Sequence, residues 1–215
     1  MSDGLLLMTD GIIKLTEGML ELVRSLPKTS EQDLQKKLSE IRLIEEDVDS
    51  AFDQSASLIM DLEVFPIDPG HFIQIARELD RMSDLIERTC LLLEWRRSLD
   101  DEESELLESA ASQIRQLAED TSTCVENLRK DKASVDRVCA VIVEREKEVD
   151  RIMGHYTRVS SRKGYEIEKR LWLTEVLGNL DTVADGARDL TITFRVITNK
   201  LDKQNRLDIK RGVLR

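Results

Sequence analysis

Aromatic residues make up 4% of this 215-residue chain, and proline occurs 3 times. Strands draw on Val, Tyr, Phe and Trp, so a sheet-rich fold is a poor fit. Three cysteines, Cys90, Cys124 and Cys139, form an odd set without a CxxC spacing. That argues against both a disulfide framework and a thiolate metal site, and leaves reduced thiols packed in a core. No apolar run approaches the ~20 residues needed to span a bilayer. No Lys or Arg precedes Lys14, so the basic start of a secretory signal is missing. A soluble, cytoplasmic protein is expected, with peripheral association at the inner face of the cell membrane as the alternative.

Histidine is almost absent too. The two present, His71 and His155, are preceded three residues earlier by Asp68 and Ile152. The Glu-x-x-His pairs of di-iron bundles are therefore missing. No Ser-His-Asp or Cys-His arrangement and no glycine-rich phosphate loop stands out, so no enzyme is expected. What abounds is charge: 35% of residues, with 43 acidic against 32 basic and a net charge of −11. Such a surface repels nucleic acid and attracts multivalent cations.

Charge-rich, aromatic-poor sequence with apolar residues at three- and four-residue steps predicts an all-α fold. Leu5, Met8, Ile12, Leu15, Met19, Leu22 and Val23 mark a first helix from about Gly4 to Ser25. Gly4, Gly11 and Gly18 recur every seven residues and share one face of it. Pro27 ends it; Thr29 or Ser30 caps a second helix reaching about Leu62. Asp68-Pro69 opens a third, with Phe72, Ile75, Leu79, Met82, Ile86, Cys90 and Leu93 on one side, ending near Trp95. A fourth begins at Asp100 or Asp101 and ends near Asp131. A fifth spans Ser134 to about Ser161, and Gly164 marks the break. The sixth covers Tyr165 to about Leu201, with Leu173, Val176, Leu180, Val183, Ala187, Leu190, Phe194 and Ile197 inward. The expected architecture is two tandem, structurally similar three-helix bundles, six long antiparallel helices in all. Residues 1–98 form the first bundle, 99–201 the second and 202–215 a basic, solvated C-terminal tail.

The division rests on an internal repeat. IRLIEEDVDSAF, residues 41–52, carries Glu45 and Asp49 beside an apolar stripe, and IVEREKEVDRIM, residues 142–153, carries Glu146 and Asp150 in the same places. A second acidic pair follows each, Asp80/Asp84 and Asp181/Asp185. The internal spacing is 35 residues in both halves, and the halves are offset by 101. A single acid-x-x-x-acid pair carries no weight, because 43 acids in 215 residues give roughly eight by chance. The signal lies in four pairs at matching positions.

Residues four apart on a helix are neighbours, and two packed helices lie ~8–10 Å apart, so two such pairs can converge on one cation. All-oxygen ligands suit hard cations, Fe, Mn, Mg or Ca, better than zinc. Helical geometry places Glu45 and Asp49 about 40° and 80° from the core direction of Ile41, at its edge. Glu146 and Asp150 repeat those angles from Ile142. Asp80 and Asp84 fall about 140° and 180° from Ile75, and Asp181 and Asp185 do so from Val176. A solvated face explains those four more simply. The competing explanation for all eight acids is ordinary salt bridges to Arg42, Arg81, Arg145 or Arg188.

IEEDVDSAFDQ, VFPIDPGHFIQIARELDRMSDLIERT, REKEVDRIMGHY and LGNLDTVADGARDL together resemble the PhoU-like proteins, within the subgroup of phosphate transport regulators associated with Pit-type transporters. The resemblance covers about Leu5 to Lys200. It implies two tandem three-helix bundles, metal ions or clusters held by Glu45, Asp49, Asp80, Asp84, Glu146, Asp150, Asp181 and Asp185, and a Pit-type inorganic phosphate transporter as partner. Asp at 80 and 181, rather than Glu, shortens the reach of those ligands. The Phe65-Pro66 loop has no counterpart in the second half. The expected function is a non-enzymatic, metal-binding regulator of phosphate transport and a homo-oligomer. A metal-storage protein, a metal-dependent phosphohydrolase and a purely structural scaffold are the alternatives.

Overall fold

The computed structural model describes residues 2–60, 68–95, 99–163 and 166–210. Among them are six α-helices and no strand: α1 (Ser2–Ser25), α2 (Glu31–Met60), α3 (Pro69–Glu94), α4 (Asp101–Asn127), α5 (Lys132–Lys163) and α6 (Ile167–Lys210). No helix among the described residues is long and apolar enough to cross a membrane. The Phe65-Pro66 loop and the Gly164 break lie outside the described residues.

Helix starts follow the local chemistry. Asp68 accepts from the Gly70 amide at 2.9 Å, with Pro69 in the first turn of α3, where its missing N–H removes no helical bond. Asp100 and Glu103 form a reciprocal capping box on α4. Lys169 reaches back from α6 to both, at 2.6 and 3.1 Å, and so neutralises a Glu103 that is buried. Two boundaries differ from expectation. α4 stops at Asn127, and Asp131 instead caps α5 by accepting from the Ser134 amide at 3.0 Å. α6 continues to Lys210, past the end expected near Leu201 and into the segment expected to be a basic, solvated tail. No Pro or Gly interrupts that stretch, and an Asp202–Arg206 ion pair four residues apart supports the extra turns. Its described side chains beyond Asp202 are exposed.

Every apolar position read from the first, third and sixth helices is buried. α1 packs on α2, α3 and α4; α2 on α3; α3 on α6; α4 on α5 and α6; and α5 on α6. Buried side chains from all six helices join in one continuous core. Polar ties cross it: Thr9 donates to Ser122 at 3.1 Å between α1 and α4, and the Trp172 indole donates to the Leu92 carbonyl at 2.7 Å between α6 and α3.

The glycine face of α1 meets α2. A Cβ on Gly11 would lie 2.3 Å from Val48 Cγ2, and one on Gly4 would lie 2.1 Å from Ser55 Oγ. The spacing therefore marks a close approach of backbone to side chain. It seats the helix that carries Glu45 and Asp49. Gly11→Ala gains about 1 kcal/mol of helix propensity but overpacks a stiff β-branched neighbour, at about 1–3 kcal/mol. Net destabilisation is expected in urea unfolding. The Gly11→Ala/Val48→Ala double variant should be more stable than the sum of the single effects predicts.

Candidate metal centre

The seam between α2 and α3 brings Glu45, Asp49, Asp80 and Asp84 together. One carboxylate oxygen from each of Glu45, Asp49 and Asp84 lies within 4.8 Å of the other two. Asp80 joins by a carboxyl–carboxylate hydrogen bond with Asp49. Angles along α3 alone put Asp80 and Asp84 on a solvated face, and Asp84 is exposed. Asp80 is half-buried. The face that looked outward from α3 alone is the face against which α2 packs, so tertiary packing turns both acids toward the first pair.

Glu45 decides the character of this site. It is 9% exposed. Among the described residues no Lys, Arg or His forms an ion pair with it, and its one hydrogen-bond partner is another acid, Asp84. The arginines that could have neutralised the quartet are engaged elsewhere. Arg42 faces Glu87 at 3.6 Å, Arg81 faces Glu78 at 3.7 Å, and Arg88 pairs with Glu175 at 2.8 Å. Burial, followed by the charge of Asp49, raises the Glu45 carboxyl from 4.5 to about 7. Burial and the charges of Asp49 and Asp84 raise Asp80 from 3.8 to about 6. Both shifts have one physical origin: carboxylates are held together at the edge of a core with no positive charge paired to them among the described residues.

A hard cation fits this donor set. Oxygens bound to one ion at ~2.1–2.4 Å lie at most ~4.2–4.8 Å apart, and the Glu45, Asp49 and Asp84 oxygens are within that limit of one another. With no His or Cys in the set, hard cations are favoured over zinc.

The second seam, between α5 and α6, repeats the placement but not the electrostatics. Asp181 is hydrogen-bonded to Asp150, and burial with the Asp150 charge raises it from 3.8 to about 6. Glu146 is as buried as Glu45, but it accepts from Arg188 Nη1 at 2.6 Å. The same nitrogen lies 3.2 Å from Asp185. Of the four arginines weighed as salt-bridge partners, Arg188 alone pairs with a site acid; Arg145 pairs with Asp120 at 2.6 Å.

No protein-family model matches this chain, and no curated protein matches it.

Two contributors were missed in the sequence. Glu87 and Asp53 both add negative charge to the first site. Glu87 stands three residues after Asp84 on the same face of α3, a spacing that could have revealed it. Arg188, three residues after Asp185, is its counterpart at the 101-residue offset. All three cysteines are buried, with Cys124 and Cys139 sulfurs 3.9 Å apart. His71 contacts Lys200 at 2.9 Å and His155 is exposed.

Proposed function

We propose that this protein is a non-enzymatic, metal-binding regulator of inorganic phosphate transport, built from two similar three-helix units. It acts from the cytoplasmic side on a Pit-type phosphate transporter, as a homo-oligomer peripheral to the membrane. The observation that supports the metal reading is Glu45: a buried carboxylate grouped with Asp49 and Asp84 from two helices, with no Lys, Arg or His paired to it among the described residues. The phosphate-transport reading rests on the resemblance of the four acidic motifs and the Phe65-Pro66-Ile67-Asp68 loop to the PhoU-like proteins.

A cation at the α2–α3 seam ties the two helices together. Occupancy would then set the shape and charge of that face, through which a partner could sense it. The resemblance implies all eight acids as ligands; the first quartet is the stronger set, because Arg188 already occupies Glu146 and Asp185 in the second. Iron, manganese or magnesium matches the oxygen donors.

The test is co-purification of the full chain with membranes that contain a Pit-type transporter, against membranes that lack it, from phosphate-rich and phosphate-poor cells. Enrichment is expected only where the transporter is present. Equal recovery from both membranes overturns the reading. Metal-loaded protein should release no phosphate from p-nitrophenyl phosphate; sustained turnover would favour the phosphohydrolase alternative.

A further inference from the structure

The two acidic quartets occupy matching positions, but they answer the same electrostatic problem in different ways. In the first, Glu45 is 9% exposed, the charges that act on it are those of Asp49, Asp84 and Glu87, and no Lys, Arg or His is paired with it among the described residues. In the second, Glu146 is 5% exposed and Arg188 sits 2.6 Å from it and 3.2 Å from Asp185. At the position equivalent to Arg188, the first half carries Glu87. At this one position the side-chain charge differs by two units, although Glu87 is itself paired with Arg42 at 3.6 Å and Arg188 also lies 3.2 Å from Asp189. What reaches the buried glutamate differs: a guanidinium contacts Glu146, whereas Glu87 adds negative charge at Glu45.

The consequence for ligands follows from geometry. The first quartet offers three oxygens within 4.8 Å of one another. In the second, Arg188 already holds Glu146 and Asp185, and only Asp150 and Asp181 are left facing each other. A guanidinium there repels an incoming cation, and two carboxylates are a sparse set for an ion that takes six or more oxygens. A buried carboxylate needs a positive partner; α6 supplies one in the protein itself, whereas α3 does not.

We propose that the two halves are functionally unequal: the α2–α3 quartet takes a hard cation from solution, and Arg188 serves as the built-in counter-cation that closes the α5–α6 quartet to metal. The residue at this register, Glu87 in one half and Arg188 in the other, selects between the two. The proposal rests on the metal reading of the first quartet.

The test is equilibrium Mn²⁺ binding to metal-free full-length chain, read by calorimetry and by elemental analysis after desalting. The variant Glu45→Gln isolates the second quartet. Wild type is expected to bind Mn²⁺, and Glu45→Gln to bind it about 100-fold or more weakly, so that none remains after desalting. Adding Arg188→Glu to Glu45→Gln should restore binding, and adding Asp185→Asn to that pair should remove it again. In metal-free protein, Arg188→Met lowers the melting temperature, because Glu146 loses its partner, and Mn²⁺ should then raise it.

If Glu45→Gln keeps half of the wild-type stoichiometry, the second quartet binds metal despite Arg188. The inference then falls while the metal reading stands. If wild type binds no Mn²⁺ or Mg²⁺ at all, the metal reading falls and the inference with it. Neither outcome depends on whether the Arg188 variants fold.

Discussion

Glu45→Gln weakens cation binding to the first quartet by about 100-fold or more, and at the same time makes the metal-free protein more stable above neutral pH. The two effects have opposite sign and one cause. Glutamine keeps the shape of the side chain and can donate to Asp84, but it brings no charge for a cation to meet. The native Glu45 carboxyl is raised from 4.5 to about 7 by burial and by Asp49. A carboxyl whose folded value lies above its unfolded value favours the fold while protonated. That contribution is complete below about pH 4.5 and is lost as pH rises through about 7. At pH 8 the ionised group opposes folding by roughly 2–3 kcal/mol, and glutamine escapes this. Urea unfolding in chelator at pH 5 and pH 8 should show the two proteins close together at the lower pH and the variant ahead at the higher. A variant less stable than wild type at pH 8 would show that Glu45 has a positive partner after all.

Across that same interval, the metal-free wild-type protein loses stability as pH rises from about 5 to 8, and Mn²⁺ or Mg²⁺ restores it. Three groups contribute with the same sign: Glu45, raised to about 7, and Asp80 and Asp181, each raised to about 6. A cation at 100 times its dissociation constant adds about 2.7 kcal/mol. For a chain of this size that raises the melting temperature by roughly 5–10 °C. The gain should be largest near pH 8 and small near pH 5, where Glu45 and Asp80 hold protons that the metal must displace. Scanning calorimetry with and without metal at the two pH values measures it. Stability that rises with pH in chelator would overturn the charge-repulsion account of the site. Asp181 lies in the quartet where Arg188 contacts Glu146 and Asp185, so, with that quartet taking no metal as proposed, its share of the pH loss should persist in saturating metal.

Much of this was readable in the residues themselves. Apolar side chains at three- and four-residue steps marked which face of α1, α3 and α6 is inside, because a helix must bury one stripe and its period is fixed by backbone geometry. Asp68-Pro69 and Asp100 gave helix starts for an equally local reason: a cap needs only the side chain and the next few amides. The end of α4 was harder. Asn127 and Asp131 are both polar, and which of them stops one helix and which starts the next depends on how the turn between α4 and α5 closes.

The candidate site divides along the same line. Sequence by itself determined that the chain is helical, that it holds a repeated set of eight acids at fixed spacing, and that Glu45 and Glu146 border the core. These follow from periodicity along one helix at a time. Only the tertiary structure decided that Asp80 turns toward Asp49, and that one quartet is balanced by an arginine while the other is not. Angles on a single helix give a direction relative to its own core stripe, but not the identity of the helix lying in that direction. Whether buried carboxylates repel or are neutralised is set by charges a few ångströms away, and those charges come from neighbouring helices as well as from their own.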